Sequence, residues 1–301
     1  MTGQPHREGA VRYCGREFPQ AELELIGHLA ATLPTRRAIA DAVCDALHWR
    51  RPDGRRKDMS ARVALLRMHN DGLIVLPPPR NGNGNGRHAR HRDPDPQLAP
   101  PIGPAPITGT LADLGPLRLT VVATAADSAC YNALIAAHHY LGYTPLAGAQ
   151  LRYLIDTDIV GAVAALGFAA AAWKCAPRDA HIGWDPATRE QRLHLVAGNA
   201  RFLICPQVRV PHLASTVLAR AARRLPADWR ARYGYTPLLL ETFVETGRFT
   251  AASYRAANWT HVGRTQGRGK LDRHHQHAVP VKDVYLYPLH RRYRRILTAH
   301  D

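Results

Sequence analysis

Residues 150–172 read QLRYLIDTDIVGAVAALGFAAAA, and how this stretch is buried decides the kind of protein the chain forms. Its apolar run, Ile159 to Trp173, is 15 residues long with two interior glycines. That is short of the roughly 20 residues that cross a bilayer as a helix. Gln150 to Ile155 and Ile159 to Ala172 instead read as two consecutive core strands, the second long enough to bend or carry a bulge.

Outward from this pair, strands and helices alternate. Leu117 to Val122 is a β-branched strand, and Ser128 to Tyr140 has helical spacing through Leu134 and Ile135. A helix from Thr188 to about Val196 leads to a strand at Arg201 to Cys205, stopped by Pro206. His212 to Arg224 is helical, Pro237 to Val244 is a strongly apolar strand, and Thr250 to Ala257 is a short helix. Val281 to Leu289 closes as a strand. Interleaving of this kind predicts an α/β (α+β) domain over residues 113–301, a mixed sheet with flanking helices.

Residues 81–112 differ in composition. Gly82 to Arg92 reads GNGNGRHARHR and a Pro-rich stretch follows to Pro106, without apolar periodicity, which predicts a disordered Gly/Asn/Pro-rich basic linker. Before it, Leu23, Ile26 and Leu29 share a helical face. Pro34-Thr35 then punctuates a second helix from Arg36 to about Leu47, a third runs from Asp58 or Ser60 to His69, and Leu73 to Leu76 reads as a short strand after Gly72. Three helices and a strand over residues 16–80 is the order of a winged helix, whose third helix enters the major groove.

Forty Lys plus Arg face 24 Asp plus Glu, a net charge of +16, and most of the cations are Arg, which grips phosphates bidentately. From Arg36 to Arg67 nine Lys/Arg face four Asp/Glu, and Arg291, Arg292, Arg294 and Arg295 form a second cluster. A polyanionic partner follows from this clustering, with DNA contacts expected at Arg55, Arg56, Lys57, Arg62 and Arg67 around the third helix. A solvated basic face on a plain helical domain is the alternative. Five cysteines at Cys14, Cys44, Cys130, Cys175 and Cys205, odd in number and without a CxxC pair, read as reduced residues of a cytoplasmic protein. Met1 to Gly15 has no apolar signal core, and no membrane partner is expected.

Three stretches carry a resemblance. They are HHYLG at 138–142; Trp173-Lys174-Cys175 with Arg178-Asp179, Ile182-Gly183-Trp184, Arg189 and 199–202; and the block of LLLETFV (238–244), SYRAANW (253–259), VGRTQGRGK (262–270) and KDVYLYPL (282–289). With the front phrase WRRPDGRRKDMSARVALLRMHNDGLIVLPPPR (49–80), they resemble the DruA-type domain of Druantia anti-phage defence islands, also met with mobile elements. The resemblance implies a setting, defence or mobile DNA, with partners such as a helicase, and it implies no reaction.

The order of elements after the linker is also similar to that of the GCN5-related N-acetyltransferases. That likeness implies acetyl-coenzyme A as a cofactor, with Tyr254 where that family carries a tyrosine acting as general acid on the departing thiolate and Trp259 where it carries an aromatic. The chain departs from the family at the pyrophosphate turn, Gln207 to Ser215. It has no glycine there, a proline without an N–H, and two β-branched valines. Apart from that likeness, the sequence points to no cofactor.

Other side chains offer chemistry beside plainer explanations. Glu241 is a candidate general base on its apolar strand, or a carboxylate paired with an arginine. Arg178, Trp184 and Arg189 suit a base-stacking or phosphate-clamping pocket, or Arg178-Asp179 simply caps a turn. Arg264, Arg268 and Lys270, in RTQGRGK, suit phosphodiester backbone contact rather than nucleotide hydrolysis. His274, His275 and His277 sit among polar neighbours and read as a basic loop, so no metal is expected. Two functions stand: a DNA-binding defence or mobile-element component, or an enzyme using Tyr254 and Glu241 for acyl transfer or nucleic-acid modification.

Overall fold

A computed structural model describes residues 10–79, 93–100, 105–267 and 279–299. The chain divides into two compact units, Met1–Arg90 and His91–Asp301.

The first unit opens with an antiparallel hairpin of β1 (Val11–Tyr13) and β2 (Arg16–Phe18), joined by Cys14 and Gly15, both at positive φ, as a two-residue hairpin turn requires. Three helices follow: α1 (Gln20–Thr32), α2 (Arg36–Ala46) and α3 (Asp58–Asn70). The Thr35 hydroxyl accepts from Ala38 N–H and caps α2. Phe18, Ile26, Ile39, Val43, Trp49, Leu65 and Met68 form one core.

The three helices expected of a winged helix are therefore present, while among the described residues the segment expected as the wing strand is paired with no other strand. Residues 73–76 are extended but belong to no sheet, although Ile74 and Leu76 point inward while Leu73 and Val75 are exposed. Strand alternation is there without a pairing strand among the described residues, and the unit's hairpin precedes the helices.

The second unit starts earlier than residue 113. Ile107 N–H donates to Gln207 and its carbonyl accepts from Arg209 N–H, and Leu111 and Leu114 pack into the core. The rear of the expected linker is thus part of this unit, while residues 80–92 and 101–104 lie outside the described ones.

Its sheet has seven strands in the order β3-β4-β5-β6-β7-β9-β8. They are β3 (Arg118–Val121), β4 (Leu151–Thr157), β5 (Gly161–Ala170), β6 (Val196–Ile204), β7 (Leu239–Glu245), β8 (Thr260–Arg264) and β9 (Lys282–Pro288). The helices are α4 (Ala125–His138), α5 (Ala176–Ile182), α6 (Pro186–Arg192), α7 (Leu213–Tyr233), α8 (Ala252–Ala256) and α9 (Tyr293–Leu297). β5, from the stretch at 150–172, is central and buried on both faces from Val163 to Ala169, which its run of Ala and Gly permits by letting side chains from both sides come close. Alternate residues of the neighbouring strands divide between two clusters. Ala197, Leu240 and Tyr285 face α4 and α7, whereas Val196, Leu239 and Leu286 face α5 and α9. This is the mixed sheet with flanking helices that the sequence predicts.

Candidate functional site

All neighbouring strands run antiparallel except β6 and β7. These two pair in parallel from Val196 opposite Leu239 to Asn199 opposite Thr242, and there the ladder stops. Beyond it β6 continues bonded only to β5, and β7 only to β9. The strands part into a wedge holding a cavity of about 560 Å³, lined by Phe202, Ile204, Thr242, Val244, Ala214 at the start of α7 and Tyr254 of α8. That volume falls in the range of small-molecule pockets, about 300–1,000 Å³. Along its walls, the inner edges of residues 200–204 and 243–245 have no ladder partner.

Tyr254 stands at the apex, where the strands separate. Its hydroxyl donates to Asn199 Oδ1 at 2.7 Å. Thr242 Oγ1 lies 3.3 Å from the phenol oxygen and 3.1 Å from the Asn199 carbonyl, so its single proton serves one or the other. The Asn199 amide is oriented by donating from Nδ2 to the carbonyls of Gly167 and Arg201, at 3.3 and 3.1 Å. Burial holds the Tyr254 phenol well above its usual pKa, so it stays protonated and acts as a donor rather than a base. Phe202, Trp259 and Tyr285 pack around its ring.

On the cavity rim lies His139, a residue not singled out as functional from sequence, whose only signal is its place in HHYLG. It is 9 % exposed, and burial, aided by the Arg201 guanidinium, pushes its pKa down to about 4. Its Nδ1 accepts the Leu141 N–H at 3.2 Å, which leaves the proton of the neutral ring on Nε2. Beside it, Arg248 sits 4.5 Å above the Tyr140 ring, and Phe249 meets Tyr140 edge-on.

The turn from Gln207 to Ser215 forms despite its lack of glycine. His212 takes the left-handed conformation, φ 64°, directly before α7, and Val208 is extended in a bridge to Ile107. Leu213 N–H donates to Val210; those of Ala214 and Ser215 find no partner among the described residues.

Glu241 lies in a buried ion pair, the arrangement of a carboxylate paired with an arginine. It is 0 % exposed, its Oε2 accepting from Arg178 Nη1 at 2.7 Å and its Oε1 from Ala172 N–H at 2.7 Å. Burial raises its pKa and the Arg178 guanidinium opposes that rise; with both oxygens bonded, the pair is ionised. The pocket expected at Arg178, Trp184 and Arg189 is likewise interior. Arg178 is 0 % exposed and also bonds Asp179 and the Ala172 carbonyl. Trp184 Nε1 donates to Asp179 at 3.0 Å, and Arg189 lies 3.7 Å from the same carboxylate. These residues are buried and tie β7 to α5 and α6.

Of the front-end cations, Arg55 and Arg67 are exposed, without a carboxylate partner among the described residues. Arg56 is paired with Asp45 and Arg62 with Asp58. Lys57 is half-buried, which lowers its pKa. Arg264 lies on β8 and donates to Asp283 at 2.8 Å. Arg268, Lys270, His274, His275 and His277 lie outside the described residues. Among those described, no group of His, Cys, Asp and Glu is placed to hold a metal, and no helix is long and apolar enough to cross a membrane.

No curated protein matches this sequence. Among solved structures, a chimera of the spermidine N-acetyltransferase SpeG from Vibrio cholerae and hSSAT is similar at 11 % identity and a TM-score of 0.37, over 57 % of this chain and 95 % of that one. A mutant form of SpeG from Vibrio cholerae is similar at 10 % identity and a TM-score of 0.31. The match covers 47 % of this chain and spans 66 % of that protein's length. The match to a protein family is more extensive: residues 68–277, from the end of α3 through β8 and beyond, match the family described as Druantia protein DruA. That span is well over half of the sequence, and the chain belongs to the DruA family.

Proposed function

We propose that the second unit seats an extended thioester of the acyl-coenzyme A class in the wedge between β6 and β7 and transfers its acyl group, as part of a Druantia-type defence protein. The observation that carries this reading is the coincidence, at one apex, of two unpaired strand edges and a buried, protonated phenol. Strand edges recognise extended chains bearing amides, because the ladder they lack is completed by the ligand. The first-turn N–H groups of Ala214 and Ser215, with Arg201 and Lys282 on the cavity wall, favour an anionic end. His212 fills the left-handed position that a glycine would, so the absence of glycine does not close the turn to that end.

When bound, the thioester supplies an activated acyl group and a thiolate as leaving group. Tyr254 holds a proton at the apex, fixed by Asn199, where a departing anion needs one. Phe202 and Trp259 pack edge-on against its ring and hold the phenol in place. The test is thiol release from acetyl-coenzyme A with a panel of primary amines as acceptors. Tyr254→Phe should lower the rate about 10²–10⁴-fold with affinity for the donor kept, and an unchanged rate removes Tyr254 from the chemistry.

DNA binding by the first unit is a second reading, favoured by Arg55 before α3 and Arg67 on it, neither with a carboxylate partner among the described residues, and by the net charge of +16. In that reading the unit brings the wedge to DNA or to a protein held on it.

A further inference from the structure

A second, smaller cavity shares Arg201 with the wedge. The ladder registers set Arg152 of β4 opposite Gly167 of β5, and Gly167 opposite Arg201 of β6. Cross-strand partners point to the same face, and neighbouring strands are about 4.8 Å apart, so two guanidinium-bearing positions flank a single strand. A register shift beside Gly167 passes over Ala200, and this bulge aims Arg201 at the row. Gly167 puts no side chain between the arginines. Tyr131 from α4 reaches into the gap, where a Cβ at position 167 would stand 2.5 Å from its hydroxyl.

The resulting cavity of about 190 Å³ is lined by Arg152, Arg201, Tyr131, Thr144 and Ser128 among others, with no carboxylate in its wall. Arg152 stacks over the Tyr131 ring at 5.3 Å and donates to Asn132 Oδ1 at 3.0 Å. Arg201 donates to Thr144 Oγ1 at 2.6 Å and to the Ala200 carbonyl. Two buried donors find no partner among the described residues, the hydroxyl of Tyr131, itself 1 % exposed, and Arg201 Nε. A buried polar group left unmade is costly, and two like charges facing one gap repel. One occupant relieves both: an oxyanion that accepts from several directions at once.

We propose that this cavity is a binding site for a phosphate-type oxyanion, free phosphate or the phosphate of a small phosphomonoester, held between Arg152 and Arg201 and completed by the Tyr131 hydroxyl. Phosphate suits it better than carboxylate because the donors converge from both strands and from α4, more directions than two oxygens serve. The volume lies below that of pockets for drug-sized ligands and restricts the occupant to a small molecule. The site shares only Arg201 with the wedge and does not depend on acyl transfer.

The test is calorimetric titration of the full chain, without coenzyme A, with inorganic phosphate and separately with glycerol 3-phosphate. At least one should bind saturably, and the tighter of the two identifies the source. Arg152→Gln and Tyr131→Phe should each weaken binding about tenfold, while Arg223→Gln, which removes the same charge from an exposed position of α7, leaves it unchanged. Tyr131→Phe deletes one atom and keeps the packing, so it answers even if Arg152→Gln disturbs the fold. Binding that is absent at about 1 mM ligand, or equal in wild type and both site variants, overturns the proposal. Equal binding would assign the phosphate to the start of α7 or to diffuse charge.

Discussion

Glu241 and Arg178 are paired 2.7 Å apart with neither exposed, and removing one partner strands the other's charge. Glu241→Gln should lower the unfolding free energy by about 3–5 kcal/mol in urea denaturation, and adding Arg178→Met should restore part of that loss. A catalytic carboxylate would instead leave stability nearly unchanged. The two meanings of Glu241 are equally legible in the sequence, because an apolar strand with a carboxylate fits both and the partner lies 63 residues away. His139 carries a pH signature. Its folded pKa, about 4, is below the unfolded value near 6.5, so the unfolded chain takes up the proton first. Its contribution is full above pH 6.5 and is lost as pH falls towards 4, roughly 3 kcal/mol in all. His139→Asn should flatten stability measured between pH 7 and 4.5 by about 2 kcal/mol, the part of that contribution lost over this range, and an unaltered pH slope would show that His139 is not buried and neutral as described.

At the level of elements, the long apolar strands and the amphipathic helices are readable because burial imposes their periods. What escapes the sequence is set by neighbours. β8 reads THVGR, with no strand pattern, and forms because β9 presents a free edge to it. Leu73 to Leu76 has the pattern and finds no partner strand among the described residues. The sequence pattern ends α7 at Arg224, before Pro226; the helix continues to Tyr233 because burying Leu225 and Trp229, at about 1.5–3 kcal/mol each or more, offsets the roughly 3 kcal/mol of an interior proline. The same helix guards the sheet's outer edge. Arg220 and Arg224 donate to the carbonyls of Leu117 and Leu119, on the side of β3 that pairs with no strand, a usual defence of an edge. The double variant Arg220→Ala/Arg224→Ala should destabilise the protein by about 1–3 kcal/mol and speed amide hydrogen exchange in β3 before the rest of the sheet. Uniform exchange across all strands would deny α7 this role.

For the whole molecule, two units and a basic charge are plain from composition, while the wedge is not, since it exists only where one parallel pair ends inside an otherwise antiparallel sheet. The apex tyrosine is legible through resemblance; Asn199, Thr242 and His139 around it are not, because their roles come from the register. If the first unit binds DNA, replacing Arg55 and Arg67 by Ala should reduce the slope of log K against log salt by about two, near 0.9 for each phosphate no longer neutralised. An unaltered slope would move the DNA-binding face elsewhere. The wedge is tested most directly by titrating acetyl-coenzyme A into the full protein and into Ala200→Phe, which fills the cavity wall between the parted strands. One molecule should bind per chain, the heat should vanish in Ala200→Phe, and Tyr254→Phe should bind as wild type does. No heat from the wild-type protein, or binding undiminished in Ala200→Phe, would contradict the assignment of the wedge.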